Sequence, residues 1–286
     1  MKIDLHMHST HSDGKLTPEE LVDLAIKQSL STIAITDHEI LSGNEVAKKY
    51  AENKNLNIIS GIEIGADDEE LNLYDVHIVG LFVDSKNKKL NELIEFCLEA
   101  REIQKKEIIV KLNLLGFEIT FEELKMEAVG PSYGRPHIAR ILLRKYPNSF
   151  EGISDVFNKL LANRDTAYVR QRKKNIKEVI DTIHNAKGIA ILAHPGFYKN
   201  KEDIIEKFIE FGGDGIELNY AYENNMEKTE ANKVRLEVGD LVKGKKLILS
   251  GGTDFHDPRI HAMIGEFGIS DEEFEVMKKY VESFRN

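Results

Sequence analysis

The sequence predicts an α/β barrel interrupted by a helical insertion, and three observations carry that reading. Seven short apolar runs, at residues 3–5, 32–35, 57–62, 76–82, 188–193, 215–218 and 246–249, have the length and composition of buried parallel strands. Helical patterns fill several of the intervals, and such alternation favours an α/β barrel over a sandwich. Between residues 89 and 174 the alternation stops and helical spacing takes over. The expected organisation is therefore a barrel from residues 1–88 and 175–286, carrying a mostly helical inserted subdomain at 89–174. A chain of 286 residues with 41% apolar content can fill a core of that size.

The elements can be justified in order. The first strand runs into Asp4-Leu5-His6-Met7-His8, where the two-residue period of extended backbone points both imidazoles to one side. Ser12-Asp13-Gly14 adds a carboxylate in a tight turn. A helix opens at Thr17-Pro18-Glu19-Glu20: Thr17 caps, Pro18 suits the first helical position and Glu20 completes a capping box. Leu21, Leu24, Ala25 and Gln28 continue it to a turn at residues 29–31. The second run ends in Thr36-Asp37-His38 and the third in Gly61-Ile62-Glu63. His77 lies early in the fourth run and fits a strand-end rule less well.

In the insertion, Leu90, Ile94, Cys97 and Leu98 define a long helix, with further helical segments expected around 116–121 and 138–144. The fifth run closes on His194-Pro195-Gly196, where Pro195 stops extension and Gly196 permits a sharp turn. Glu217 and Asn219 follow the sixth run and are expected to shape the site without binding metal. The last run closes on Asp254-Phe255-His256, an Asp-x-His pair that repeats the logic of His6 and His8.

Nine ligand-type residues thus stand at the ends of the elements, most of them where barrel enzymes place their chemistry. They predict a polynuclear metal site and a metal-dependent hydrolase. Cys97 is the only cysteine, which excludes an intrachain disulfide and a thiolate site and marks Cys97 as a packing residue. A formal charge of -10 argues against a protein that coats long nucleic acid, but leaves short phosphorylated substrates open. The cations are concentrated: Arg135, Arg140, Arg144 and Lys145, then Arg164, Arg170, Arg172, Lys173, Lys174 and Lys177. No segment approaches the roughly 18 apolar residues of a membrane span, and residues 1–9 are too polar for a signal peptide, so a cytoplasmic location is expected.

Taken together, Asp-Leu-His-Met-His-Ser-Thr-His-Ser-Asp-Gly, Thr-Asp-His, Gly-Ile-Glu-Ile, Ala-His-Pro-Gly and Gly-Thr-Asp-Phe-His resemble the PHP (polymerase and histidinol phosphatase) family over nearly the whole chain. The resemblance implies a distorted (β/α)7 barrel with a centre of two to three divalent ions, Mn²⁺, Fe²⁺ or Zn²⁺, that hydrolyses phosphoesters with a metal-activated water. It also implies a grouping: His6, His8 and Asp254 on one metal, Glu63 bridging to a second held by His77 and His194, and Asp13, His38 and His256 on the third. His11, His184 and His261 fall outside this set.

Gly134-Arg135-Pro136-His137-Ile138-Ala139 and Ala167-Tyr168-Val169 are similar to the PHP subgroup acting on nucleoside 3′,5′-bisphosphates and short 5′-phosphorylated oligoribonucleotides. Arg135 and His137 are then expected to grip substrate phosphate, Arg135 through its planar fork, with Arg170 as a further candidate. Three divalent ions outweigh three carboxylates, so such a centre attracts a phosphoryl dianion. Two alternatives stand beside this reading: a histidinol phosphate phosphatase, and a non-catalytic PHP binding module. The second is disfavoured because no ligand position is lost.

Overall fold

The computed structural model describes residues 2–162, 166–259 and 262–285. Its frame is a seven-stranded sheet in sequential order: β1 (Lys2–Asp4), β2 (Leu30–Ile35), β3 (Asn57–Asp68), β4 (Leu73–Leu81), β5 (Ile189–Leu192), β6 (Gly215–Tyr220) and β7 (Ile248–Gly252). The sheet closes through the segments that leave its two edges. Leu5 N–H donates to Gly251 O at 3.2 Å, Asp254 N–H to His6 O at 2.9 Å and His8 N–H to Phe255 O at 2.9 Å. A parallel bridge joins Met7 to Phe255. The barrel reading is thereby met, and all seven runs are strands.

One strand departs from the expected all-parallel arrangement. β4 pairs antiparallel with both β3 and β5, while the other neighbours are parallel. The cause is the connection: only residues 69–72 separate β3 from β4, and a link that short makes a hairpin, whereas a parallel pair needs a crossover of a dozen residues or more. The apolar run of β4 gave no sign of direction, because a strand buried on both faces reads the same either way.

Helix α1 (Pro18–Lys27) begins as its sequence dictates. Thr17 accepts from the Glu20 N–H at 3.2 Å and Glu20 reaches back to the Thr17 N–H at 2.8 Å. With α2 (Ser42–Ala51) it covers β2 through Leu21, Val22, Ala25, Ile33, Ile35 and Ala47. Inside the barrel, Ile59, Val79, Leu81, Ile189, Ile191 and Ala193 share one cluster with Phe274 and Met277 of the C-terminal helix. Period two then puts Glu63 on the face of Ile59 and Gly61, and His77 on the face of Val79 and Leu81, so both point into the barrel.

Between β4 and the helix at Ile176–Asn185, the described chain is mostly helical: α3 (Lys88–Leu114), α4 (Phe121–Glu127), α5 (Arg135–Lys145) and α6 (Ile153–Val156), the last continuing as a π-turn to Leu161. Here Ile108, Leu112, Leu124, Ile138, Ile141, Leu142 and Leu161 bury one another in a cluster of their own. Residues 116–120, expected within a helical segment, are instead the link from α3 to α4. Gly116 turns there at φ 88°, a conformation only glycine adopts freely.

Candidate metal centre

All nine ligand-type side chains meet at one end of the barrel, and Glu63 is the hub. Its Oε1 lies 2.8 Å from His77 Nδ1 and 3.1 Å from His194 Nε2, and its Oε2 lies 3.0 Å from His38 Nδ1, 3.3 Å from His8 Nε2 and 3.5 Å from His6 Nε2. Asp254 Oδ1 faces His8 Nε2 at 3.0 Å and His6 Nε2 at 3.3 Å, while Asp13 Oδ1 faces His256 Nε2 at 3.3 Å and His38 Nε2 at 3.8 Å. His77, early in its strand, reaches the others because β4 runs in reverse and begins at the mouth where its neighbours end.

Three sets of donor atoms are compact enough to share an ion: His6, His8, Glu63 and Asp254; His8, Asp13, His38 and His256; and His38, Glu63 and His77. The first is the expected pair of histidines with Asp254 and Glu63. In the others, His8 joins Asp13, His38 and His256, and His38 joins Glu63 and His77. His194 touches Glu63 but belongs to none of the three sets.

The chemistry of these atoms fits divalent cations. Asp13 Oδ1, Glu63 Oε2, His194 Nδ1 and Asp254 Oδ1 are buried without a hydrogen bond of usable geometry, and all four belong to the nine residues. Unpaired buried polar atoms are costly, and the three carboxylates among them belong to the donor sets, where a cation would satisfy them. Burial favours the neutral acid at Glu63, Asp13 and Asp254, yet the surrounding imidazoles outweigh it and hold all three well below the usual carboxylate range. Burial likewise opposes charge on His8, but Asp254 and Glu63 push it up to about 10. Ions entering such a site displace protons.

Supporting contacts orient the donors. Asp37 accepts from Ser9 N at 2.7 Å, Ser9 Oγ at 2.6 Å and Ser12 Oγ at 2.6 Å, which ties down the loop between His8 and Asp13. Gly14 is required there, since a Cβ would lie 2.2 Å from His8 O. Asp254 (φ 48°) and His194 (φ 33°) both sit in the left-handed region, strain of the kind retained at functional sites. The sharp turn after β5 is therefore made by His194 itself. Gly196 is needed for close packing instead, because its Cβ would lie 2.2 Å from Val234 and 2.7 Å from the Tyr222 ring.

Beside the centre is a cavity of about 170 Å³, lined by Asp13, His38 and His77 on one side and by Arg101, Lys105, Arg135 and Lys173 on the other. Glu39 takes Arg101 Nε at 2.5 Å and Gln171 Nε2 at 3.1 Å, and Lys173 contacts Asp75. Among the described residues no carboxylate pairs with Arg135, whose guanidinium has one long bond to Leu161 O, at 3.4 Å, and lies 5.7 and 5.8 Å from the Phe157 and Tyr168 rings. Lys105 contacts Gln104 and is 1% exposed; burial drives its pKa well below the ordinary lysine value, with Arg101 and Arg135 adding to the effect.

Two expected substrate residues are placed otherwise. Arg170 is held by Asp67 at 2.8 and 3.0 Å and stacks 4.0 Å over Tyr74, outside this cavity, because the β3–β4 hairpin supplies the carboxylate next to it. His137 is 2% exposed, and its Nδ1 accepts the Gly134 N–H at 2.9 Å. Burial lowers its pKa to about 4, so it starts α5 as a neutral cap instead of lining the cavity as a cation. His11 bonds Ser42 at 2.6 Å and His184 bonds Asp214 at 2.7 Å, both outside the three donor sets; His261 and Arg164 lie outside the described residues.

Sequence reasoning missed Arg101 and Lys105, and singled out Lys173 only as part of the basic stretch. A signal existed for the first two: the stripe of Leu90, Ile94 and Cys97 continues at helical spacing through Arg101 and Lys105 to Ile108 and Leu112, so two cations occupy buried positions of an otherwise apolar face.

The PHP domain family model matches residues 4–221. The chain belongs to this family. It is 33% identical over 261 residues to the 5′-3′ exoribonuclease Rnm of Escherichia coli, covering 89% of this chain and 85% of that one. It is 29% identical to the 3′,5′-nucleoside bisphosphate phosphatase of Chromobacterium violaceum, covering 90% and 87%. In structure it resembles an amidohydrolase of Chromobacterium violaceum solved with bound sulfate, with a TM-score of 0.85, 25% identity and coverage of 99% and 96%. A Bifidobacterium adolescentis protein inferred to be a metal-dependent phosphoesterase follows at 0.82 and 26%, covering 96% and 94%.

Proposed function

We propose that this PHP protein is a metal-dependent phosphoesterase acting on a nucleotide, either a nucleoside 3′,5′-bisphosphate or a short 5′-phosphorylated oligoribonucleotide. The observation that carries the reading is the juxtaposition of the nine-residue centre with a cation-lined cavity in which, among the described residues, Arg135 and Lys105 face no carboxylate partner. At about 170 Å³ the cavity is well below the roughly 300 to 1,000 Å³ that encloses a drug-sized ligand, so it takes a phosphate group and leaves the rest of a nucleotide outside. The named activities of the Escherichia coli and Chromobacterium violaceum relatives support the same substrate class.

In this reading His6, His8, Asp13, His38, Glu63, His77, His194, Asp254 and His256 hold two to three ions, drawn from Mn²⁺, Fe²⁺ and Zn²⁺, which suit imidazole and carboxylate alike. The ions supply an activated water and Lewis-acid stabilisation of phosphoryl oxygens. Arg135 and Lys105 grip a second phosphate, Lys173 and Arg101 extend the positive wall, and His137 fixes the start of the helix that presents Arg135. Residues 89–174 act as an inserted helical subdomain that brings Arg101, Lys105 and Arg135 over a barrel formed by 1–88 and 175–286. Among the described residues no helix is long and apolar enough to cross a membrane; the cytoplasmic location expected from the sequence is part of this proposal.

Histidinol phosphate is disfavoured because its ammonium group would face Arg135, which pairs with no carboxylate among the described residues. The test is hydrolysis by Mn²⁺-reconstituted protein, read as released phosphate with adenosine 3′,5′-bisphosphate, histidinol phosphate and p-nitrophenyl phosphate, and as released phosphate or mononucleotide with short 5′-phosphorylated RNA. Fastest turnover is expected on one of the first two. Fastest turnover on histidinol phosphate, or none on any substrate, would overturn the proposal.

A further inference from the structure

Strand β6 contains an irregularity that none of the nine ligand residues explains. Glu217 pairs with Ser250 of β7, but the next partner of Gly251 is Asn219, so Leu218 is an extra residue on the β6 side. In a regular strand, residues three apart face opposite sides, and Glu217 and Tyr220 could not share a face. The bulge removes that restriction, and both turn inward at 1% exposure.

Both reach metal-ligand candidates carried by other segments. Glu217 Oε1 lies 2.7 Å from His6 Nδ1, and its Oε2 accepts the His194 N–H at 2.8 Å. Tyr220 Oη donates to Asp254 Oδ2 at 2.6 Å. From this geometry we infer that Glu217 is a positioning residue serving two ligands at once, with Tyr220 as its companion on Asp254. The inference rests on the metal reading of the site.

The physical content is specific. A carboxylate at Nδ1 keeps the proton of neutral His6 on that nitrogen and leaves the Nε2 lone pair aimed at His8, Glu63 and Asp254. The second oxygen restrains His194 in its left-handed conformation, which directs Nε2 at Glu63. One side chain thus sets the donor atom of His6 and the backbone of His194, two residues 188 positions apart in the chain. No single hydrogen bond to either ligand would do both.

The E217Q variant separates this role from a purely structural one. Glutamine has nearly the same shape but only one accepting oxygen, so it can serve His6 or His194 and not both. Mn²⁺ is titrated into metal-free wild type, E217Q, Y220F and N219A, following free Mn²⁺ by electron paramagnetic resonance. Asn219 is on the same strand but bonds away from the site, to Gly268 O at 2.7 Å. The expected result is a ten- to hundredfold loss of Mn²⁺ affinity in E217Q, a smaller loss in Y220F and none in N219A.

The ion held by His8, Asp13, His38 and His256 should bind as in wild type, so the E217Q titration should split into strong and weakened steps. Nitrogen-15 spectra of the zinc-loaded protein should show His6 protonated at Nδ1 in wild type, with that signal displaced in E217Q. An E217Q titration that superimposes on wild type would overturn the inference while leaving the metal centre intact. So would a metal-free E217Q that melts far below wild type, since that marks a structural role. Wild type that binds no Mn²⁺ would remove the metal reading and this inference with it.

Discussion

Arg135→Ala offers the sharpest test of the division between metal centre and cation pocket. In the folded protein Arg135 makes one long hydrogen bond and two ring contacts at the outer limit of cation–π range, so its removal should cost about 1 kcal/mol of stability or less. Alanine suits the first position of α5, and the cap between Gly134 N–H and His137 Nδ1 is untouched. A bound phosphate, however, would lose a charge-assisted and potentially bidentate partner worth about 1.5 to 3 kcal/mol. That corresponds to roughly a tenfold to hundredfold fall in kcat/KM.

The assay compares adenosine 3′,5′-bisphosphate with p-nitrophenyl phosphate, on wild type and variant carrying equal metal. The aryl phosphate reaches only the metals and should be nearly unaffected. Equal losses on both substrates would place Arg135 at the reacting phosphate. No loss on either would return it to the surface and refute the pocket.

Three further outcomes are expected. Glu63 belongs to two donor sets and His256 to one, so Glu63→Gln should lower metal content by about two ions per chain and His256→Ala by about one, read by elemental analysis; equal losses would refute this partition. His137 has a folded pKa of about 4, below its ordinary 6.5, so the unfolded chain binds the extra proton. Its contribution is complete above pH 6.5 and is lost as pH falls towards 4, to the extent of about 3 kcal/mol. The melting temperature of metal-free wild type relative to His137→Gln, which can still cap Gly134, should fall across that window, and a pH-independent difference would contradict it. Cys97 is 2% exposed and burial pushes its thiol pKa up, so it should resist thiol reagents in the native protein and react once unfolded; rapid native labelling would show the α3 face to be open.

Local chemistry was legible in the sequence wherever it is decided locally. Thr17, Pro18 and Glu20 set the start of α1 by contacts within four residues, and the structure repeats them. The meeting of His6, His8, His38, Glu63, His194, Asp254 and His256 at one mouth was legible because a polar ligand-type residue after a buried run needs a partner, and several strand ends carried one. What stayed illegible depended on distant groups. Arg170 and Lys173 stand three residues apart in one basic stretch and both meet hairpin carboxylates, yet only Lys173 lines the cavity. The sequence cannot say which carboxylate arrives next to which cation. The cap contact of His137 stayed hidden for a related reason: an imidazole three residues after a cap position can serve its own helix as readily as a substrate.

The reversed strand shows how a local rule and a global arrangement can disagree and still agree on function. Judged by position, His77 is on the wrong end of its strand, and a purely parallel barrel would have sent it to the face opposite the other ligands. The hairpin at residues 69–72 reverses β4, and with it the meaning of "early". The same hairpin carries Asp67 and Asp75 to the basic stretch, where they hold Arg170 and contact Lys173. One short connection therefore delivers a metal-ligand candidate to the mouth and decides which cations stay free to meet an anion. In a chain whose net charge is -10, that sorting matters. Such a net charge works against binding a long polyanion, whereas Arg135, paired with no carboxylate among the described residues, lines a cavity of about 170 Å³ beside the centre. In the proposed reading, a substrate would be selected by presenting a phosphate end that enters the cavity, not by lying along the surface.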